Sequence, residues 1–415
     1  MAAAESLSIS PLIDPDYYAT HGYPHELWTH LRREAPVYRV EQNPEMPFWA
    51  ITRHADIAVI GKQPEKFLNG PTLTIRTEPQ PDEAAFPKTL IQMDPPKHGL
   101  YRKIVSKRFT PGALKRWHAD IHRIGREIVD ELLANGDQGE VDFVEKVAAP
   151  LPIAVIAWLL GLPRSDWKLL FDWTNRTIGA GDPEYQREGA ASASDTARQA
   201  MVELFQYFAK LVEEKKKNPS DDLVSLFAHA EVNGEKLPIM DVLAYCLIIV
   251  VAGNETTRNG TSGGMLALAQ HPAELAKIQK NPALLPTAIE EILRWTSPII
   301  HFARTATQDV EIRGQRIRAG EHLALFYPSA NRDEDIFPDP FTFRVDREPN
   351  RHLAFGIGEH FCAGAHVARL ELEVAFQSLL PRLVDLELAG PVQRLRSNLV
   401  GGIKHLPIRY KLRPA

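Results

Sequence analysis

Between Pro238 and Pro272 the chain carries no proline, and its apolar spacing predicts one helix from about Met240 to Gln270. At 1.5 Å per residue that helix runs ~45 Å, enough to cross a small domain, so the other elements must pack around it. Its longest apolar run, Leu243 to Ala252, is too short to span a bilayer, which makes it a core helix. The middle of it, VVAGNETTRNGTSGG, uses residues that suit a helix poorly. Gly253 and Gly260 each cost about 1 kcal/mol relative to alanine, and Thr256 and Thr257 stand side by side. A local opening at Gly253 would explain this, with the Thr256 hydroxyl turned toward a ligand instead of its own turn and Glu255 placed to relay protons. The plainer alternative is that both side chains are satisfied inside the helix.

The second unusual stretch is HLAFGIGEHFCAGAHVARLELEVAF, from His352 to Phe376. Cys362 is one of only two cysteines, with Cys246, which rules out a disulfide framework and fits a reducing compartment. Gly356, Gly358 and Gly364 allow a tight loop that approaches a flat ligand closely. Apolar residues at Val367, Leu370, Val374 and Leu379 predict a helix just after it, whose N-terminal amides would favour a thiolate on Cys362. Upstream, MDPPKHGLYRKIVSKRFTP sets His98 and Arg102 four apart on one helical face, where two donors can grip carboxylates; a solvated basic helix is the bland reading. Glu291 and Arg294 form an i,i+3 pair on a helix from Asn281 to Trp295.

Phe355, Gly356, Gly358, His360, Cys362 and Gly364 spell F-G-x-G-x-H-x-C-x-G, which resembles the haem-ligand loop of the cytochrome P450 family. The D-P-P-x-H-x-x-x-R, A-G-N-E-T-T and E-x-x-R segments resemble further motifs of that family, in the same order. The resemblance implies a mainly α fold with small β-sheets, shaped as a triangular prism, with heme b between the long central helix and the helix after the cysteine loop. It makes Cys362 the axial ligand of the iron, since a thiolate pushes electron density onto haem iron and favours O–O cleavage. Phe355 would shield the sulfur, and Gly358 and Ala252 would lie against the cofactor. His98, Arg102, Arg304 and His360 would hold the propionates. Thr256 and Glu255 would manage protons, and Glu291 with Arg294 would lock the cysteine loop to the core. The family carries an arginine where Pro340-Phe341-Thr342-Phe343 has Thr342, so Arg344 or Arg347 must complete that lock.

The remaining sequence is organised as one domain spanning 1–415, with no linker, low-complexity tract or repeat. Strands are predicted at Val37 to Val40, Phe48 to Thr52, Val310 to Arg313 and His322 to Tyr327. Helices are predicted at His25 to Glu34, His54 to Ile60, 112–135, 142–160, 164–178, 193–217 and Asp221 to His229. Asn69 to Thr89, with four prolines, reads as a functional loop, and IGAGDPEYQREGAASAS as a mobile part of a substrate lid. Arg394 to Tyr410 alternates around Gly401-Gly402 and reaches the pocket as a strand turn.

A net charge of -5 gives no hint of nucleic acid, and an N-terminal stretch without a basic segment followed by an apolar core is expected to be neither a leader nor a membrane anchor. By resemblance the protein is a cytoplasmic, monomeric monooxygenase of the bacterial type. The sequence contains no four-cysteine cluster and no strand-linked G-x-G-x-x-G, so ferredoxin and a ferredoxin reductase drawing on NAD(P)H would supply electrons. Arg369, Lys103 and Arg108 would form the docking surface. Val251, Ala252, Ile299, Ile300 and Val400 are apolar candidates for the substrate wall. VAGNETTRN, NPSDDLVSLF, DPFTF and GGIKH resemble the P450s that hydroxylate the terminal carbon of steroid side chains; a monoterpene or fatty acid is the alternative substrate. A hydrolase or metal enzyme built on Cys362, His360 and His366, or a non-catalytic haem sensor, are the competing functions.

Overall fold

The computed structural model describes residues 9–77, 87–133 and 136–413. Part of the predicted 69–89 loop therefore lies outside the described residues. The long helix forms as one unbroken element, Ile239–Gln270, with Pro238 just before it setting the first turn. It is long and apolar enough to cross a membrane by length and composition alone, unlike the shorter apolar run within it, yet 56% of its most apolar stretch is buried in the core.

The core explains its glycines. A Cβ on Gly264 would lie 2.7 Å from Ile292 and 2.9 Å from Phe376, and one on Gly253 would lie 2.8 Å from Ile156. Gly253 thus lets the helix Pro150–Leu160 approach closely, and the helix does not open there. At Gly264 the helices Leu285–Thr296 and Ala365–Leu379 come together on the central one. Gly264→Ala should therefore destabilise the protein by ~1–3 kcal/mol through overpacking, read as a lower midpoint in chemical unfolding, although alanine is the better helix former.

Strands Val37–Val40, Phe48–Ile51, His322–Phe326, His301–Ala306 and Phe67–Leu68 form a five-stranded sheet in that spatial order, with one parallel pair, Phe48–Ile51 beside His322–Phe326. The sequence reading missed His301–Ala306 because its burial is nearly continuous and gives no clean alternation. A second sheet places Pro407–Leu412 between Leu383–Leu388 and Gln138–Asp142, joining chain regions some 270 residues apart. One apolar cluster runs from Leu90 to Leu412 through the helical layer, and a second, with Trp28, Phe48 and Phe326, lies beneath the five-stranded sheet.

Candidate active site

The cysteine loop is held from below by a buried ion network. Glu291 and Arg294 are fully buried and meet in two parallel bonds, both 2.7 Å. The third arginine is Arg347. Its Nε donates to Glu291 Oε1 and Oε2 at 3.2 and 3.1 Å, and its other nitrogens donate to the carbonyls of Pro338, Asp339 and Thr342. The Arg344 side chain is exposed beside Asp346 and contributes only its backbone N–H to Glu291. Asn350 completes the set at 3.1 Å.

Above this network Gly358, with φ of +80°, packs so closely on the helix His54–Gly61 that a Cβ would lie 2.0 Å from the Gly61 carbonyl oxygen. The tight contact served by this glycine is thus with the protein's own backbone. Cys362 donates its N–H to the Phe355 carbonyl at 2.9 Å, and Gly364 caps the helix Ala365–Leu379. The Cys362 side chain keeps solvent access although protein surrounds it, as befits a group facing an interior cleft. Burial pushes its thiol pKa up; the Gly364 amide, Arg102 and Arg369 pull it down but do not overcome burial. The helix N-terminus alone therefore does not produce a free thiolate.

Four nitrogen-bearing side chains gather beside the loop. His98 and His360 stack with ring centres 4.1 Å apart, and the Nε2 of each is buried without a hydrogen-bond partner among the described residues. His98 Nδ1 is held by Glu359 at 2.7 Å, and Arg102 reaches the Phe361 carbonyl at 2.6 Å. Arg304 is buried on the strand His301–Ala306. Burial together with His98, Arg304 and Arg102 drives the His360 pKa down to about 3. Arg102 and Arg304 thus bring positive charge here, Glu359 is the one carboxylate bonded to the four among the described residues, and two buried ring nitrogens are unsatisfied, at a cost. An anionic ligand would satisfy both. Thiolate plus carboxylate-binding donors is a set that fits an iron porphyrin.

The central helix presents Ile248, Ile249, Ala252 and Thr256 as an open face between buried residues, as a helix bordering a cavity does. Thr256 is not freed from its turn: its hydroxyl donates to the Ala252 carbonyl at 2.9 Å. Glu255 is turned away into the core, where it accepts from Arg258. Burial raises the Glu255 pKa, and Arg258 opposes the rise. Arg258 also donates to Asn175 at 2.8 Å, tying the acid to the helix Trp167–Ile178, a contact the sequence analysis did not single out.

Among the substrate-wall candidates, Ile299 and Val400 pair as an isolated β-bridge, and Val251 is half-buried. Ile300 is fully buried in the cluster with Trp28 and Phe326. His301 was also missed by sequence: its Nε2 accepts from the Ile75 N–H at 3.0 Å and its Nδ1 donates to the Asn398 carbonyl at 2.9 Å, pinning two loops beside that bridge. Burial holds its pKa at about 4, so the ring is neutral.

Two docking candidates change roles. Arg369 does not project freely to solvent; it forms two bonds to Glu290 at 2.6 and 2.8 Å and stacks over Phe355 at 4.6 Å. Burial would raise the Glu290 pKa, but Arg369 and His352 pull it down to about 2. Arg108 is paired with Asp221, whereas Lys103 is exposed and unpaired among the described residues.

The stretch read as a mobile lid is tied down between 181 and 184. Asp182 accepts from Lys404 and from the Arg396 N–H, both at 2.9 Å, and His405 reaches Glu184 at 3.0 Å and Asp142 on its other nitrogen. Burial lowers the His405 pKa, but the two carboxylates outweigh it and the net shift is upward. A raised pKa means the clasp is at full strength below about pH 6.5 and weakens as pH climbs through the raised value. Hydrogen exchange across 179–188 should accelerate between pH 6 and pH 8.5 by more than the chemical pH effect, and His405→Asn should erase that excess.

The family described as Cytochrome P450 matches residues 180–384. A Mycobacterium tuberculosis methyl-branched lipid omega-hydroxylase is 38% identical over 389 residues, covering 92% of this chain and 89% of its own. The chain belongs to the cytochrome P450 family. A steroid C26-monooxygenase of Mycobacterium tuberculosis is 37% identical over 409 residues, covering 96% of this chain and 92% of its own. The solved structure of a Mycobacterium marinum cytochrome P450 in complex with pseudoionone matches with a TM-score of 0.90 at 36% identity, covering 98% and 100% of the two chains. The protein is thus a P450 monooxygenase, and heme b is the cofactor of its family.

Proposed function

We propose that this P450 hydroxylates the end of a methyl-branched hydrocarbon chain, the side chain of a steroid or sterol being the first candidate. The observation that carries this reading is that two relatives with near full-length coverage are named for omega and C26 positions, the far ends of branched chains. A terpenoid is the second candidate, favoured by the pseudoionone complex. Apolar Val251, Ala252 and Ile299, with the buried Val400 bridged to Ile299, supply a wall suited to either.

Cys362 would ligate the iron, with Phe355 against the loop and Arg369 stacked on Phe355 to keep it rigid. His98 and His360 would each give a free Nε2 to a propionate, with Arg102 and Arg304 neutralising its charge. When bound, the haem supplies O₂ activation by the thiolate's electron push. The rest belongs to the chain. Thr256 spends its own proton on the Ala252 carbonyl, which leaves its oxygen lone pairs oriented as an acceptor toward the cleft. Glu255 is the proton reserve behind it, available when Arg258 lets go. In Thr256→Ala, cofactor consumption should continue while product per electron falls several-fold and peroxide rises; unchanged coupling would remove Thr256 from the proton path.

We read the chain as one catalytic domain working in the cytoplasm, with electrons arriving from a separate ferredoxin and its reductase. Exposed Lys103 remains available to such an acidic partner, whereas Arg108 and Arg369 are neutralised in place. The substrate reading is tested by titrating the haem protein with cholest-4-en-3-one, methyl-branched fatty acids and acyclic monoterpenes, following the spin-state shift. Tightest binding by the steroid, with the hydroxyl found at the side-chain end, is the expected result. No shift with any branched chain would overturn it.

A further inference from the structure

The geometry points to a second ligand site, for a small aromatic carboxylate, in a cavity of about 320 Å³ where the N-terminal segment meets the end of the central helix. It shares no lining residue with the cysteine loop or with the open face at 248–256. Two arginines, Arg332 and Arg394, line it, and no carboxylate among the described residues does. Arg332 is 2% exposed. It donates to the Arg294 and Trp295 carbonyls at 2.9 Å each, but its Nε has no partner among the described residues. Glu291, the nearby acid, is already shared by Arg294 and Arg347. A buried guanidinium without a counter-charge is unfavourable, and a carboxylate would offset it.

The neighbouring groups add further donors. Asn259 accepts the Ile403 N–H on Oδ1, at 3.1 Å, which leaves its buried Nδ2 as a free donor. His25 also has a buried ring nitrogen without a partner, and burial beside Arg332 keeps the ring neutral. The Arg394 guanidinium lies over Gly22, where φ is +75° and a Cβ would come within 3.3 Å of its Nε, so the backbone is shaped to receive it. Leu266, Trp295, Phe341 and the ring of Tyr23 supply apolar and aromatic walls, and His21, Gln270 and Thr296 add polar edges. Donors and rings lie side by side around the cavity, Arg332 over the Trp295 ring at 4.2 Å and His25 beside Tyr23 and Phe341, a mixture that matches a carboxylate carried on a flat apolar body. The volume holds a single-ring ligand.

The test is calorimetric titration of the haem-loaded protein with benzoate and, separately, with inorganic phosphate, while the haem spectrum is monitored. Saturable benzoate binding without a Soret change is expected. Arg394→Gln should weaken it at least tenfold, and Asn259→Asp, which sets a like charge against the ligand, should do so independently. Equal affinity in both variants, no saturation up to the millimolar range, or binding that shifts the Soret band would overturn the assignment. Phosphate binding as tight as benzoate would also overturn it, since the rings would then contribute nothing.

Discussion

Cys362→Ser should reduce monooxygenase turnover by roughly three orders of magnitude or more, about 4 kcal/mol at 1.36 kcal/mol per tenfold. A hydroxyl does not supply the electron density that a thiolate gives the iron. The fold should survive, because the loop is placed by the Phe355 and Gly364 backbone and by the network under it, and none of these uses the sulfur as a structural partner. The reduced, carbon monoxide-treated variant should lack the far red-shifted Soret band while its helical circular dichroism is retained. Wild-type turnover with an unchanged carbonyl spectrum would overturn the assignment of Cys362. The same spectrum separates a thiolate haem site from a hydrolase built on His360 and Cys362.

Arg347→Met should cost ~3–5 kcal/mol of stability, the usual penalty for removing one partner of a buried charge pair. Glu291 would lose one of its two arginines, and the carbonyls of Pro338, Asp339 and Thr342 would lose their donors. Haem retention should fall with it, because Asn350 and His352, which start the cysteine loop, hang from Glu291 and Glu290. Arg344→Met is the control: its side chain is exposed and its useful group is the backbone N–H, so it should stay within about 0.5 kcal/mol of wild type. Urea unfolding of the three proteins decides the matter. Equal loss in the two variants would place the third arginine of the network elsewhere.

The proposed catalytic centre was legible in the sequence because the residues of its cysteine loop are close together in the chain. Six positions from Phe355 to Gly364 point to a loop, a ligand and a helix start, and local spacing carries all three. The extents of His25–Glu34, Ile239–Gln270 and Ala365–Leu379 were legible for the same reason, since helical periodicity is a local property.

Other assignments depended on which side chains meet across hundreds of residues. Spacing could not choose between Arg344 and Arg347, because which of them reaches Glu291 depends on the path of the chain from Pro338 to Asn350. The same limit applied to Gly253, which looked like a helix opening and proved to be the seat of Ile156. Ile300 and Arg369 were read from residue type, and burial on one side and a carboxylate on the other reversed both readings. By itself, then, the sequence determined the family, the proposed haem ligand and the long helices, all encoded in short-range patterns. Only the tertiary structure decided which charges are neutralised, which glycines admit a neighbour and which apolar residues face the cleft, because burial and ion pairing are set by partners distant in sequence.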